Sequence, residues 1–228
     1  MTRGSSKMDN LVAASLLASD FSNLEREIKR AELAGVDWIH YDVMDGLFVR
    51  NISFGEPVLK SVSKSISIPI DAHLMITDPI RYVENYAMLG ANGITVHYES
   101  TPDIQSVIAK IRALGCKVGL AIKPATPVAY IKPYISQLDM ILIMTVEPGF
   151  GGQVFLTETL SKITEARQLV NESGREIRIQ VDGGINADTA TMVLEADADV
   201  LVSGSYLFKS DEMRRAVNIL RGNNSEIN

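Results

Sequence analysis

His40 and Asp42 stand two residues apart inside an otherwise apolar run, Ile39-His40-Tyr41-Asp42-Val43. In a strand, that spacing puts both side chains on one face. An imidazole and a carboxylate on one face can pair with each other, as a buried hydrogen-bonded couple, or share a metal ion. His73, in Asp71-Ala72-His73-Leu74-Met75, and Asp182, in Val181-Asp182-Gly183-Gly184, end two other apolar runs. Two histidines and two aspartates converging from three runs make a metal site of mixed nitrogen and oxygen donors. That set suits one Zn²⁺, Fe²⁺, Co²⁺ or Mn²⁺ ion better than Ca²⁺ or Mg²⁺. His97 ends a further run without an acidic residue two positions before it. It is expected beside the site or in the core, not among the ligands. Asp45 falls on the opposite parity from His40, Asp42 and Met44, and is expected to serve the following loop and not the chemistry.

Three glycine-rich stretches suggest a second kind of chemistry. Glu147-Pro148-Gly149-Phe150-Gly151-Gly152-Gln153, Gly183-Gly184 and Gly204-Ser205 each follow an apolar run. Small residues let backbone N–H groups close around an anion, so these turns are candidates for a phosphate cradle. Met44, Met75 and Met144 also fall near the ends of runs, where thioethers would give an apolar, adaptable lining. Ser15 ends the first run. Lys123 ends another and could form a Schiff base, although no acid–base partner stands near it in sequence.

These residues need elements to position them. The apolar runs cover about 11–17, 38–43, 70–74, 93–97, 117–122, 140–146, 177–181 and 200–203, with starts roughly 23 to 37 residues apart, the length of a strand-plus-helix unit. Helix signals fall between them. Ser22 through Glu25 reads as a capping box, Asp78-Pro79 as a cap before a first-turn proline, and Asn186 as another cap. Gly35 and Gly90 stop the helices that precede them. Strands apolar on both faces point to a parallel sheet, and eight units without a linker predict a single (β/α)8 TIM barrel. An open doubly wound sheet is the alternative. The expected organisation is a lead over residues 1–10, a barrel over 11–222 and a tail over 223–228. In such a barrel chemistry collects at the C-terminal ends of the strands, where all three histidines fall.

The bulk composition narrows the partners. The chain has 228 residues, 46% hydrophobic and 22% charged, with a net charge of −6, which argues against nucleic acid but not against a small anion held by local amides. No apolar run is long enough to span a membrane, and MTRGSSKMDN lacks the apolar stretch of a secretory signal. The single cysteine, Cys116, allows no internal disulfide and fits a reducing compartment, so a cytoplasmic protein is expected.

In order, ASLLASDF (14–21), IHYDVMDG (39–46), NISFG (51–55), DAHLM (71–75), ITVHYE (94–99), MTVEPGFGGQ (144–153), VDGGIN (181–186) and SGSYLF (203–208) closely resemble the ribulose-5-phosphate 3-epimerases over nearly the whole chain. The resemblance implies a TIM barrel that interconverts D-ribulose 5-phosphate and D-xylulose 5-phosphate with one divalent metal, through a metal-stabilised enediolate, in the pentose phosphate pathway. It implies His40, Asp42, His73 and Asp182 as ligands and Asp42 and Asp182 as the acid–base pair. Ser15, His73, Met44, Met75, Met144 and Asp182 become substrate contacts, with Gly149, Phe150, Gly151, Gly152, Gly183, Gly184, Gly204 and Ser205 as the substrate and phosphate cradle. It also implies a homo-oligomer, a dimer or hexamer. The chain departs from the family pattern at Ala14, Arg50, Gln180 and Asp197, none of which is a ligand. The competing readings are a 3-epimerase for another ketose phosphate such as D-allulose 6-phosphate, a metal-dependent lyase or aldolase, and a non-catalytic phosphosugar-binding barrel.

Overall fold

A computed structural model of the chain describes residues 9–223. Eight parallel strands close into a barrel in sequence order: β1 (Leu11–Ser15), β2 (Trp38–Met44), β3 (Ile70–Met75), β4 (Gly93–His97), β5 (Lys117–Ile122), β6 (Met140–Met144), β7 (Arg178–Asp182) and β8 (Val200–Ser203). Closure comes from β8 pairing with β1, with Leu11 opposite Val200 and Ala13 opposite Val202. The TIM barrel is therefore the observed fold, and the open sheet is excluded. Around it lie α1 (Leu24–Ala34), α2 (Glu56–Val62), α3 (Val83–Met88), α4 (Ile104–Ala113), α5 (Leu160–Ser173), α6 (Ala187–Glu195), α7 (Ser205–Phe208) and α8 (Met213–Leu220). Between β5 and β6 the connection is a 3-10 helix, Val128–Gln137, with Pro133 inside it.

The alternation of each strand separates two jobs. Ile39, Tyr41 and Val43 of β2 join the core between sheet and helices, together with Ile28 and Ala31 of α1 and Leu59 of α2. Each such buried side chain is worth about 1.5–3 kcal/mol over leaving it in water. The other parity, His40, Asp42 and Met44, faces the barrel interior, so one face of the strand is held in the core and the other carries the ionisable pair.

Several local expectations shift. The first run ends as a strand at Ser15 and continues as a 3-10 turn, Leu16–Ala18, because the chain must bend at the rim. The sixth run likewise ends at Met144, leaving Thr145 and Val146 beyond it. The capping box at Ser22 does not form. Asp20 instead accepts from the Ser22 backbone N–H and caps a 3-10 turn, Phe21–Asn23, while Glu25 pairs with Lys29. Asp78 precedes the 3-10 turn Pro79–Arg81, but it sits at φ 54° and its side chain caps nothing. Gly35 does stop α1, at φ 90°, and Asn186 forms a full capping box with Thr189. The lead and tail expected at 1–10 and 223–228 lie outside the described residues, apart from Asp9, Asn10 and Asn223.

Candidate metal centre and substrate pocket

Strand register builds the centre. β2 and β3 pair with His40 opposite Asp71, Asp42 opposite His73 and Met44 opposite Met75. An H-x-D pattern thus lies against a D-x-H pattern, and each histidine meets an aspartate across the ladder. Asp182 arrives from β7, which touches neither strand in the sheet, and reaches the cluster only because the barrel is closed.

One donor atom from each of the four residues falls into a compact group. His40 Nε2 lies 3.1 Å from His73 Nδ1 and 3.3 Å from Asp42 Oδ1, and His73 Nδ1 lies 3.1 Å from Asp42 Oδ1. Asp182 Oδ2 stands 3.7 Å from His40 Nε2 and 3.9 Å from His73 Nδ1. A tetrahedral ion with bonds of about 2.1 Å separates its donors by about 3.4 Å, and the separations above, 3.1–3.9 Å, bracket that value, so this donor set fits a divalent metal. His40, Asp42 and His73 are buried, while Asp182 is partly open to the cavity above them.

Further groups hold the donors in place. Ser15 Oγ donates to Asp42 Oδ2 (2.6 Å). His40 Nδ1 faces Asp71 Oδ2 at 3.3 Å, and Asp71 Oδ1 accepts from Thr95 Oγ1 (2.8 Å). His97 lies behind the other histidine of the cluster, its Nε2 2.9 Å from His73 Nε2 and its Nδ1 3.3 Å from Glu99 Oε2. Sequence reasoning expected His97 beside the site or in the core, and the structure places it beside the site; that reasoning did not single out Asp71 or Glu99. Their signals were Asp71-x-His73, a mirror of His40-x-Asp42, and His97-x-Glu99, with the acid after the histidine.

The two carboxylates that face the substrate side are driven apart electrostatically. Burial and the nearby charge of Asp42 push Asp182 up to about 6. Burial also raises Asp42, but the positive charge of His40 and hydrogen bonds from both histidines outweigh it and hold Asp42 well below the usual carboxylate range. Burial alone would depress His40, yet Asp42, Asp71 and Asp182 around it raise its pKa well above the ordinary value. Burial takes His97 down to about 4, so its ring is neutral near pH 7. Burial works against the Glu99 carboxylate, but hydrogen bonds from His97 and Thr126 bring it down to about 2.

Above the cluster lies a cavity of about 510 Å³ at the C-terminal ends of the strands. Ser15, Asp42, Met44, Met75, Met144, Gly149, Phe150, Gly151, Gly152, Asp182, Gly183, Gly184, Gly204 and Ser205 all line it. His73 does not; it lies beneath the floor with no exposed surface. Two glycines are required by the shape. At Gly183, φ is +121° and an added Cβ would fall 2.4 Å from Val146 Cγ2; at Gly184, φ is +68° and a Cβ would fall 2.7 Å from the Phe155 N. Both turns keep backbone close to the cavity wall, as an anion cradle needs. Lys123 lies outside this lining, its ammonium 4.1 Å above the Phe48 ring centroid, and does not serve as a Schiff-base lysine in this cavity. Asp45 serves the loop as expected: it accepts from the backbone N–H groups of Leu47, Phe48 and Thr77. A wider depression of about 860 Å³ at the other end of the barrel is lined by groups that pair with one another, Arg221 with Asp37 and Asn10 with the Arg221 carbonyl.

Residues 11–208 match the family described as the Ribulose-phosphate 3 epimerase family. A ribulose-phosphate 3-epimerase of Bacillus subtilis (strain 168) is 42% identical over 212 residues, covering 92% of this chain and 98% of that protein. One of Escherichia coli (strain K12) is 40% identical over 212 residues, covering 92% and 94%. Among solved structures, KGPDC from Streptococcus mutans aligns with a TM-score of 0.72 at 14% identity, covering 96% of this chain and 99% of that one, a likeness of fold alone. The curated relatives, by contrast, match at 40–42% identity over 92% of the chain, and the chain belongs to the ribulose-phosphate 3-epimerase family.

Proposed function

We propose that the chain epimerises carbon 3 of D-ribulose 5-phosphate, giving D-xylulose 5-phosphate. The observation that carries this reading is the pair Asp42 and Asp182, two carboxylates that reach one cavity floor from strands that do not pair, β2 and β7. Epimerisation next to a carbonyl needs such a pair: one carboxylate, ionised, removes the carbon 3 proton from one face, and the other, protonated, returns a proton to the opposite face. The electron pair left by the first transfer forms the carbon 2–carbon 3 double bond of an enediolate, moving the carbonyl pair onto the carbon 2 oxygen, and returns to carbon 3 to take the proton of the second transfer.

His40, Asp42, His73 and Asp182 would hold one divalent cation, Zn²⁺, Fe²⁺, Co²⁺ or Mn²⁺. When bound, it supplies positive charge that offsets the negative charge developing on the substrate oxygens. Met44, Met75 and Met144 wall the reacting carbon with groups that neither donate nor accept acidic protons. Backbone amides at Gly183, Gly184, Gly204 and Ser205 would take the phosphate, and Ser15 orients Asp42 and borders the substrate. The same reading extends to a cytoplasmic homo-oligomer, for which the exposed Leu47 and Ile52 on the loop after β2 offer apolar surface.

Deuterium wash-in from solvent at carbon 3 tests the proposal. The wild type should exchange that hydrogen in D-ribulose 5-phosphate, and Asp42→Asn or Asp182→Asn should lower turnover by about a hundred- to ten-thousandfold with the fold intact. Near-normal exchange in either variant would reject the acid–base assignment. Faster exchange with D-allulose 6-phosphate would reassign the substrate, and no exchange with either sugar would leave only a binding protein.

A further inference from the structure

We propose that Glu99 and His97 are positioning residues that set, through a file of hydrogen bonds, which ring nitrogen of His73 is free to bind the cation. The inference rests on the metal-site reading above.

The file runs inward from the loop after β4. Glu99 Oε1 accepts from the Lys123 backbone N–H (2.8 Å) and from the Thr126 hydroxyl. Glu99 Oε2 faces His97 Nδ1 at 3.3 Å, His97 Nε2 faces His73 Nε2 at 2.9 Å, and His73 Nδ1 faces the cluster. An ionised carboxylate can only accept, so His97 Nδ1 carries the hydrogen. The neutral ring then has a lone pair on Nε2, which can only accept from His73 Nε2–H. That leaves the lone pair of His73 on Nδ1, the atom 3.1 Å from both His40 Nε2 and Asp42 Oδ1. A carboxylate two rings away thus selects the tautomer at the centre, as carboxylates behind metal-binding histidines do directly. The outer end is itself anchored. Lys162 Nζ donates to the carbonyls of Lys123 (2.9 Å), Pro124 (2.8 Å) and Thr126 (2.6 Å), fixing the loop that grips Glu99.

The isosteric change Glu99→Gln separates this role from simple packing. Two donors already meet Oε1, so the amide oxygen is retained there and the amide NH₂ faces His97. A donor against Nδ1–H forces His97 into its other tautomer, whose Nε2–H then meets His73 Nε2–H. His73 relieves the clash by moving its hydrogen to Nδ1, which blocks the ligating atom. The test uses the full chain and Co²⁺. Glu99→Gln should weaken Co²⁺ binding about 10–100-fold by chelator competition, alter the visible Co²⁺ spectrum, and exchange the ¹⁵N signatures of the two His73 ring nitrogens in the metal-free protein. Glu99→Asp, which keeps the carboxylate, should restore the wild-type tautomer. If Glu99→Gln fails to fold, His97→Leu cuts the same file in the middle and should give the same loss of affinity. Wild-type Co²⁺ affinity and unchanged ring signatures in whichever variant folds would overturn the relay alone. A wild-type chain that takes up no Co²⁺ would overturn the metal reading and the relay with it.

Discussion

Behind each histidine of the cluster stands a carboxylate, Asp71 behind His40 and, through His97, Glu99 behind His73. The two are supported differently: Asp71 lies inside the barrel on a strand, while Glu99 sits in the 3-10 turn Tyr98–Ser100 at the rim. Glu99 therefore contributes to stability in a way that titrates. An ordinary glutamate has a value of 4.5, and here it is brought to about 2. As pH falls, the unfolded chain takes up this proton before the folded chain does. The contribution of ionised Glu99 is thus present in full above about pH 4.5 and lost as pH falls through about 2. With its side chain 21% exposed, the contribution is about 1–3 kcal/mol. Urea unfolding of metal-free wild type and Glu99→Gln should show a gap of that size at neutral pH, closing across this acid window. A gap that stays constant with pH would mean that packing, not charge, explains it. Sequence parity put His40 and Asp42 on one face of one strand, and the ends of two other apolar runs added His73 and Asp182 to the candidate cluster. Neither could reveal the partners behind them, because parity gives the face of a residue and not what lies across a ladder or beyond a turn.

At the scale of elements, the loops do most of the positioning. Asn51 Nδ2 donates to the Gly149 carbonyl (2.8 Å), joining the loop after β2 to the loop after β6 across the cavity mouth. Asn51→Ala should raise KM for the sugar phosphate a fewfold while leaving urea stability within about 0.5 kcal/mol, as expected of a surface contact; an unchanged KM would show that the loops hold their places without it. Another element carries avoidable strain. Asp197 follows α6 at φ 69°, a left-handed conformation that costs a non-glycine residue energy and that glycine adopts freely. Its departure from the family's Ala-Gly-Ala-Asp pattern falls on this residue. The Arg167 guanidinium binds the Asp197 carbonyl, a backbone atom that survives substitution. Asp197→Gly should stabilise the chain by about 0.5–1 kcal/mol in urea, and a loss of stability would show that the side chain does something the geometry does not reveal. Helix ends were legible where one residue suffices, as at Gly35 and Asn186. They were not at Ser22, where Asp20 competes for the same backbone N–H, nor at Asp78, whose backbone turns left-handed before its side chain can cap.

For the whole molecule, the count of eight runs made the barrel legible, and closure is what the sequence could only imply. Closure matters to the centre because β2 and β3 supply three of the donors and β7 supplies the last from a strand paired only with β6 and β8. Without the cation, Asp42 and Asp182 oppose each other inside one floor, and that repulsion is borne by the barrel. A cation bound by all four donors replaces the repulsion with a brace between strands that share no hydrogen bond. A cation that binds the folded chain and not the unfolded one should, at a concentration about 100-fold above its Kd, add about 2.7 kcal/mol. For a chain of this size that is a rise in Tm of about 5–10 °C over the chelator-treated protein, measurable by calorimetry. Asp182→Asn removes the charged donor from β7 and the repulsion together, so two effects should appear in one variant: a metal-free Tm no lower than wild type, and a much smaller rise with Co²⁺. A full rise in Asp182→Asn would mean that β2 and β3 hold the cation by themselves and that β7 contributes only to the chemistry.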